Sequence, residues 1–243
     1  MSRRRLSVAL TLGAALLAAT ACSSGTDASQ AAQGASAMPA EGAIVDTIKS
    51  AATKATAVHI KGSFTEGGSA ESMDLQLNKD GSASGTVSEA GASIPVIAVD
   101  KVYYVRFTKA LMTTSKIETT SEVGKALLDK WVPSTAQIVK GSSLVAGLEQ
   151  AANFNTMVPN LFNQFGGDTP SEAGTDTVNG VPVHVYTYPD NSSADIATAA
   201  PHYLIRIAEP DGQSKGQLDF TGWNKPTKVA APPKSEIYSG PGA

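Results

Sequence analysis

Few side chains in this chain are placed to act as a nucleophile, a base or a metal ligand. It has one cysteine, Cys22, and three histidines, His59, His184 and His202. Each histidine falls in a strand-like stretch with no carboxylate or cysteine at ligand spacing, so no metal site is expected. The S-x-x-K, H-E-x-x-H, Walker A, G-x-G-x-x-G and EF-hand patterns are absent. No catalytic residue and no cofactor is therefore expected, and a hydrolase ranks last among the function classes considered. Asn191-Ser192-Ser193 fits a glycosylation sequon and reads as a plain loop. A lone thiol also leaves no intrachain disulfide, so the fold must rest on its core.

The setting of that thiol is informative. Cys22 closes the stretch Leu16-Leu17-Ala18-Ala19-Thr20-Ala21-Cys22, behind a positive segment, Arg3-Arg4-Arg5, and an uncharged apolar run from Val8 to Ala21. The run is shorter than the ~20 residues of a spanning helix, and it reads as a secretory signal over residues 1–21. Small residues ahead of the cysteine follow the bacterial lipobox, with Ala19 where leucine is more usual. There, signal peptidase cuts before the cysteine and the thiol takes up a diacylglycerol, with palmitate as a typical acyl group. The alternative is ordinary secretion with a cut near Ala21, which leaves a free thiol open to oxidation. The expected location is the extracytoplasmic face of the cell membrane, lipid-anchored.

Removing residues 1–21 takes away three arginines and no acid, which moves the formal net charge from −3 to −6. A mildly acidic surface without a Lys/Arg cluster excludes a nucleic-acid backbone as partner. No later stretch is long and apolar enough to span a bilayer, so attachment would go through Cys22. Residues 22–40 carry only Met38 as a large apolar side chain and read as a flexible tether. The eighteen residues 23–40 span on the order of 23 Å, from ~5.5 Å × √n.

The elements behind this anchor change period three times. Apolar residues Ile44, Ile48, Ala51, Ala52 and Ala55 recur every three or four positions and predict an amphipathic helix over 41–56. Strict alternation then predicts strands over 58–64 and 73–78; the turn Asp80-Gly81 leads into a small-residue strand over 82–89, and a more apolar pair follows over 93–99 and 102–107. A helical insert follows, with one helix over 121–130 and a longer one over 142–165, broken at Pro159 and ended by Gly166-Gly167. Strands return over 175–178 and 181–188 around Asn179-Gly180, and over 203–207 and 217–220 around Asp211-Gly212. Five strands, a helical insert and four more strands make one α+β domain over 41–232: a large antiparallel sheet with helices covering its apolar face. Residues 233–243 form an irregular tail.

In order along the chain, several of these pieces resemble the actinobacterial LppX/LprG-type lipoproteins, related in fold to the lipoprotein carrier LolA. The resemblance is carried by the lipobox at Cys22, by Ala57-Val58-His59-Ile60-Lys61-Gly62-Ser63-Phe64 after the first helix, by Val102-Tyr103-Tyr104-Val105, and by Lys130-Trp131-Val132. It ends with Gly216-Gln217-Leu218-Asp219-Phe220-Thr221-Gly222-Trp223-Asn224-Lys225-Pro226 leading to Ala231-Pro232-Pro233. It implies a curved half-barrel whose concave side, closed by helices, encloses a hydrophobic cavity. Members of this kind bind acylated lipids or glycolipids and help move them across the envelope.

The physics of packing agrees with that implication. A large sheet covered by short helices poor in aromatics leaves volume, and an empty apolar void costs ~24 cal/mol per Å³ in engineered cases. An acyl chain in it gains ~0.8 kcal/mol per buried CH₂. The expected lining is Val96, Tyr103, Val105 and Phe107 on the sheet, with Leu144, Leu148, Phe154, Met157, Leu161 and Phe162 on the helical cover. For the helical residues plain core packing fits the same periodicity. Trp131 and Trp223 read as structural plugs or as indoles facing headgroups. The expected function is an envelope lipid carrier or chaperone with a lipid or glycolipid ligand and an envelope transporter as partner. The alternative is a tethered interaction module that docks on an envelope protein without a ligand. In either case Cys22→Ser should abolish incorporation of labelled palmitate and release the protein from the membrane fraction; labelling that persists would place the acyl groups elsewhere.

Overall fold

Strand alternation and tight turns build most of the molecule. The computed structural model describes residues 38–66, 69–89, 91–163, 169–210 and 214–243. The expected signal segment, Cys22, most of the expected tether, Gly166-Gly167 and the expected turn at Asp211-Gly212 lie outside the described residues.

Helix α1 (Glu41–Lys54) turns Ile44, Ile48, Ala51 and Ala52 inward. Strands β1 (Ala57–Glu66), β2 (Ser69–Asn78), β3 (Ala83–Glu89), β4 (Ala92–Val99) and β5 (Val102–Arg106) follow as a meander. Then come α2 (Lys109–Thr114), α3 (Glu122–Leu127), the short strand β6 (Trp131–Pro133), α4 (Ser143–Ala151) and α5 (Phe154–Asn163). A second meander closes the order: β7 (Ser171–Val178), β8 (Val181–Thr187), β9 (Ser193–Ala197), β10 (Leu204–Glu209) and β11 (Ser214–Thr221). All eleven strands join one sheet in the order β6-β5-β4-β3-β2-β1-β11-β10-β9-β8-β7. Every neighbouring pair is antiparallel. The sheet is an open, curved half-barrel with its helices on one side, the expected α+β class.

Turn chemistry fixes the register. Asp100 and Lys101 both have positive φ (52° and 64°), as do Asn179 and Gly180 (52° and 78°), the combination that suits two-residue hairpins between twisted strands. Inside β4 and β5 buried and half-exposed positions alternate, with Ile94, Val96, Ala98, Tyr103 and Val105 turned to the core. Three short helices start at hydroxyl caps: Thr108 Oγ1 accepts from Leu111 N, Ser121 Oγ from Gly124 N, and Ser142 Oγ from Val145 N.

Four elements differ from the sequence reading. The long helix breaks at Ala152-Asn153, while Pro159 sits inside α5. Asn153 makes the break: its Oδ1 accepts from Asn155 N at 2.9 Å, an N-cap contact, and its Nδ2 donates to Tyr103 Oη on β5 at 3.1 Å. Helix α2 and strands β6 and β9 are additional; β6 spans three residues and β9, Ser-Ala-Asp-Ile-Ala, holds a buried aspartate, both too short or too mixed for a periodic signal. The tail is irregular apart from a 3-10 turn at Lys234–Glu236, yet it is docked: Ile237 bridges Trp131, Tyr238 N donates to Trp131 O, and Tyr238 is buried. It covers the β6 edge, which would otherwise offer unpaired backbone groups.

The two meanders meet at β1·β11, the first strand of the sheet against the last. Here backbones come very close. A Cβ on Gly62 would stand 2.0 Å from Gln217 O, and one on Gly216 would stand 2.3 Å from Ser63 O. Glycine is the one residue that permits this approach. Gly62→Ala should therefore destabilise the domain by about 1–3 kcal/mol, the usual range for forced overpacking, read as a lower denaturant midpoint; an unchanged midpoint would show that the seam relaxes freely.

Candidate functional site: a cavity at one rim of the sheet

The concave face is mostly filled. Ile60, Leu75, Leu77, Val96, Val105, Met112, Phe162, Ile196 and Phe220 belong to one buried cluster beneath α1, α4 and α5. Toward one end of the strands this filling stops, and a cavity of about 610 Å³, open on one side, lies between the sheet and helices α2 and α4. That volume falls in the ~300–1,000 Å³ range of ligand pockets. The sheet wall is made by Phe64, Glu71, Met73, Val87, Ala92 and Ile94. These are inward positions toward one end of four adjacent strands: Phe64 faces Glu71 across β1·β2, and Met73 faces Val87 across β2·β3. The helical wall is Leu111 and Thr114 from α2 with Leu144, Gly147, Leu148 and Ala151 from α4. Gly147 is exposed at this wall, and nothing lies within 4 Å of where a Cβ on it would stand.

Of the ten residues expected from sequence, Leu144 and Leu148 line this cavity. Val96, Tyr103, Val105, Phe107, Phe154 and Phe162 are buried in the core cluster beside it, and Met157 and Leu161 pack half-buried against that cluster. The lining residues that sequence reasoning passed over are mainly inward positions near one end of β1–β4 and the residues of α2. Alternation marks Phe64, Met73, Val87 and Ile94 as inward.

Both tryptophans are structural. Trp131 is buried on β6 under the Arg106 guanidinium, 5.9 Å from the ring centre. Trp223 stacks on Tyr203 with ring centres 4.7 Å apart and donates to Leu204 O at 2.8 Å. It covers a small second cluster, Val178, Val183, Ala197 and Ile205, on the convex face.

The histidines differ from expectation, because cross-strand neighbours are invisible in linear spacing. His59 Nε2 lies 2.7 Å from Asp74 Oδ1, and His184 Nδ1 lies 2.6 Å from Glu172 Oε1. His202 sits in a buried turn, outside any strand, with its Nδ1 3.2 Å from Ala197 O. Among the described residues no group of three or more His, Cys, Asp and Glu is placed to hold a metal. One match to the nucleophile-elbow pattern, Gly212-Gln213-Ser214-Lys215-Gly216, falls where β11 begins. Its first two residues lie outside the described ones. Ser214 opens a strand, whereas the elbow needs a strand-to-helix turn.

With the geometry in view, the comparisons are informative. No protein-family model matches the sequence, and no curated protein matches it either. Among solved structures, LprF from Mycobacterium bovis superposes with a TM-score of 0.53 at 13% identity, over 79% of this chain and 96% of that one. The lipoprotein LppX from Mycobacterium tuberculosis gives 0.48 at 18% identity, over 76% and 96%. The fold is that of the LppX/LprG-type lipoproteins. Within this LppX/LprG-type fold, no helix among the described residues is long and apolar enough to cross a membrane.

The charges of the convex face concern stability. Asp74 accepts from Lys61 Nζ at 2.8 Å and meets His59, and these bonds hold its carboxyl below the ordinary carboxylate value. Asp219 is bidentate with Arg206 at 2.7 and 3.2 Å. A depressed acid stabilises the fold above its unfolded pKa, ~3.9 for aspartate, and that contribution is lost as pH falls through the lower folded value. Asp74→Asn should therefore lower the unfolding midpoint at neutral pH, with the difference from the native protein closing below about pH 4; a difference constant down to pH 2 would remove the carboxylate as its source.

Proposed function

We propose that this domain is a membrane-anchored lipid-binding lipoprotein, holding the acyl part of a lipid or glycolipid in the cavity between β1–β4 and α2/α4. It works by partition, with no covalent step, as an envelope carrier or chaperone for that lipid. One observation carries the reading: a cavity of about 610 Å³ on an LppX/LprG-type fold, walled by Phe64, Met73, Val87, Ile94, Leu111, Leu144 and Leu148 and open on one side. Side chains of this kind gain ~0.8 kcal/mol for each CH₂ of guest they bury. Anchoring is assigned to an acylated Cys22 on the extracytoplasmic face of the cell membrane, with residues 22–40 as the tether and an envelope transporter as the exchange partner. Leu144 and Leu148 are proposed as direct contacts. Val96, Tyr103, Val105, Phe107, Phe154, Met157, Leu161 and Phe162 are proposed to support the cavity from behind.

A second reading, a tethered docking module without a guest, has in its favour the dense filling of the rest of the concave face. The two part over copurified lipid. Native mass spectrometry of the protein should show retained lipid that Gly147→Trp excludes, because the indole enters open space and the fold is left intact. Guest loss should also lower the melting temperature by mass action. A protein that holds no lipid in either form would leave the docking module standing.

A further inference from the structure

We propose that the cavity is a single-chain site: its guest is a monoacyl amphiphile, seated tail inward with its polar end at the mouth, and diacyl lipids are excluded. This rests on the lipid-binding reading above and narrows its ligand class. Burial along the lining gives the direction of entry. Ala92, Ile94, Leu111 and Leu148 are buried and form an apolar floor, whereas Thr114, Ser115 and Ser143 are exposed and bring hydroxyl-bearing residues to the mouth. Beyond the floor the space ends. Leu75 and Val96, the next inward residues after Met73 on β2 and after Ile94 on β4, are buried in the core cluster and line no part of the cavity.

Capacity follows from volume. A methylene group fills the share of one liquid water, ~30 Å³. The cavity of about 610 Å³ therefore seats about 20 of them, enough for one long acyl chain and too few for two. Widening it for a second chain would lift α4, and with it the buried Val145, Leu148 and Ala152, out of a core whose side chains are close-packed. A diacyl lipid that entered by one chain would leave the other in water and lose the burial it has in a bilayer. A monoacyl guest leaves no chain behind.

The test offers the delipidated full chain 1-palmitoyl-lysophosphatidylcholine and dipalmitoylphosphatidylcholine, which share headgroup and chain, in mixed micelles of one non-ionic detergent. Native mass spectrometry should show one lysolipid per protein, retained over the diacyl lipid by about tenfold or more, a factor read directly from the competition. Across lysophosphatidylcholines of about 12 to 24 carbons, retention should rise with length and level off at about 20, where the cavity is full. Leu144→Ala should move that limit up by about three carbons, the number it removes from the wall, and Leu144→Trp should move it down. Two lysolipids bound per protein, a diacyl lipid retained within tenfold of the lysolipid, or a length limit that neither Leu144 variant moves overturns the proposal and leaves lipid binding in place. Retention of neither lipid overturns both.

Discussion

The close approach of β1 and β11 is the constraint on which the rest of the structure depends. The first and last strands of the sheet form its middle, and they fit because Gly62 and Gly216 carry no Cβ where each backbone meets the other. With the seam made, each meander extends outward by hairpins alone, and the combined sheet is wide enough to curve around helices. A third glycine, Gly85 at φ 148°, continues the small-residue line on β3, where a Cβ would stand 2.0 Å from Asp74 O. Curvature of the half-barrel thus begins with the sequence of three strands.

From curvature follows the division of the concave face into packed and hollow parts. Helices α1 and α5 pack on one another, and α4 reaches both α5 and β5, so Phe154, Val158 and Phe162 drop into the sheet's centre. Asn153 holds this arrangement by capping α5 and bonding to Tyr103. Toward the strand ends near Phe64 and Ala92 the cover is thinner: α2 has six residues, and α4 presents Gly147 at that wall. Space remains because the cover is short there.

How far the sequence displayed this depends on the range of the interaction. Hairpins with Asp100-Lys101 and Asn179-Gly180 were legible, since turn geometry is set by adjacent residues. So were the inward sets of β4 and β5, where burial alternates residue by residue. The cap at Asn153 was hidden behind Pro159, the stronger local helix breaker, which α5 accommodates in its interior. Cavity walls were legible only in Leu144 and Leu148. Periodicity tells which side of an element faces inward but not where along the sheet a helix stops covering it. The pairing of His59 with Asp74 and of His184 with Glu172 depends on register between strands, which linear spacing does not contain.

The docked tail bears on when this protein can finish folding. Strand β11 must return to β1, 148 to 162 residues earlier, and Ile237 and Tyr238 then return to Trp131 at the far edge. A chain made from its N-terminus therefore carries a first meander with two open borders, one awaiting β11 and the other awaiting the tail, until those two segments have been made. High separation between partners slows folding and prolongs exposure of unpaired strands. The burden of keeping that half-made sheet from pairing with neighbours falls on whatever escorts the nascent polypeptide.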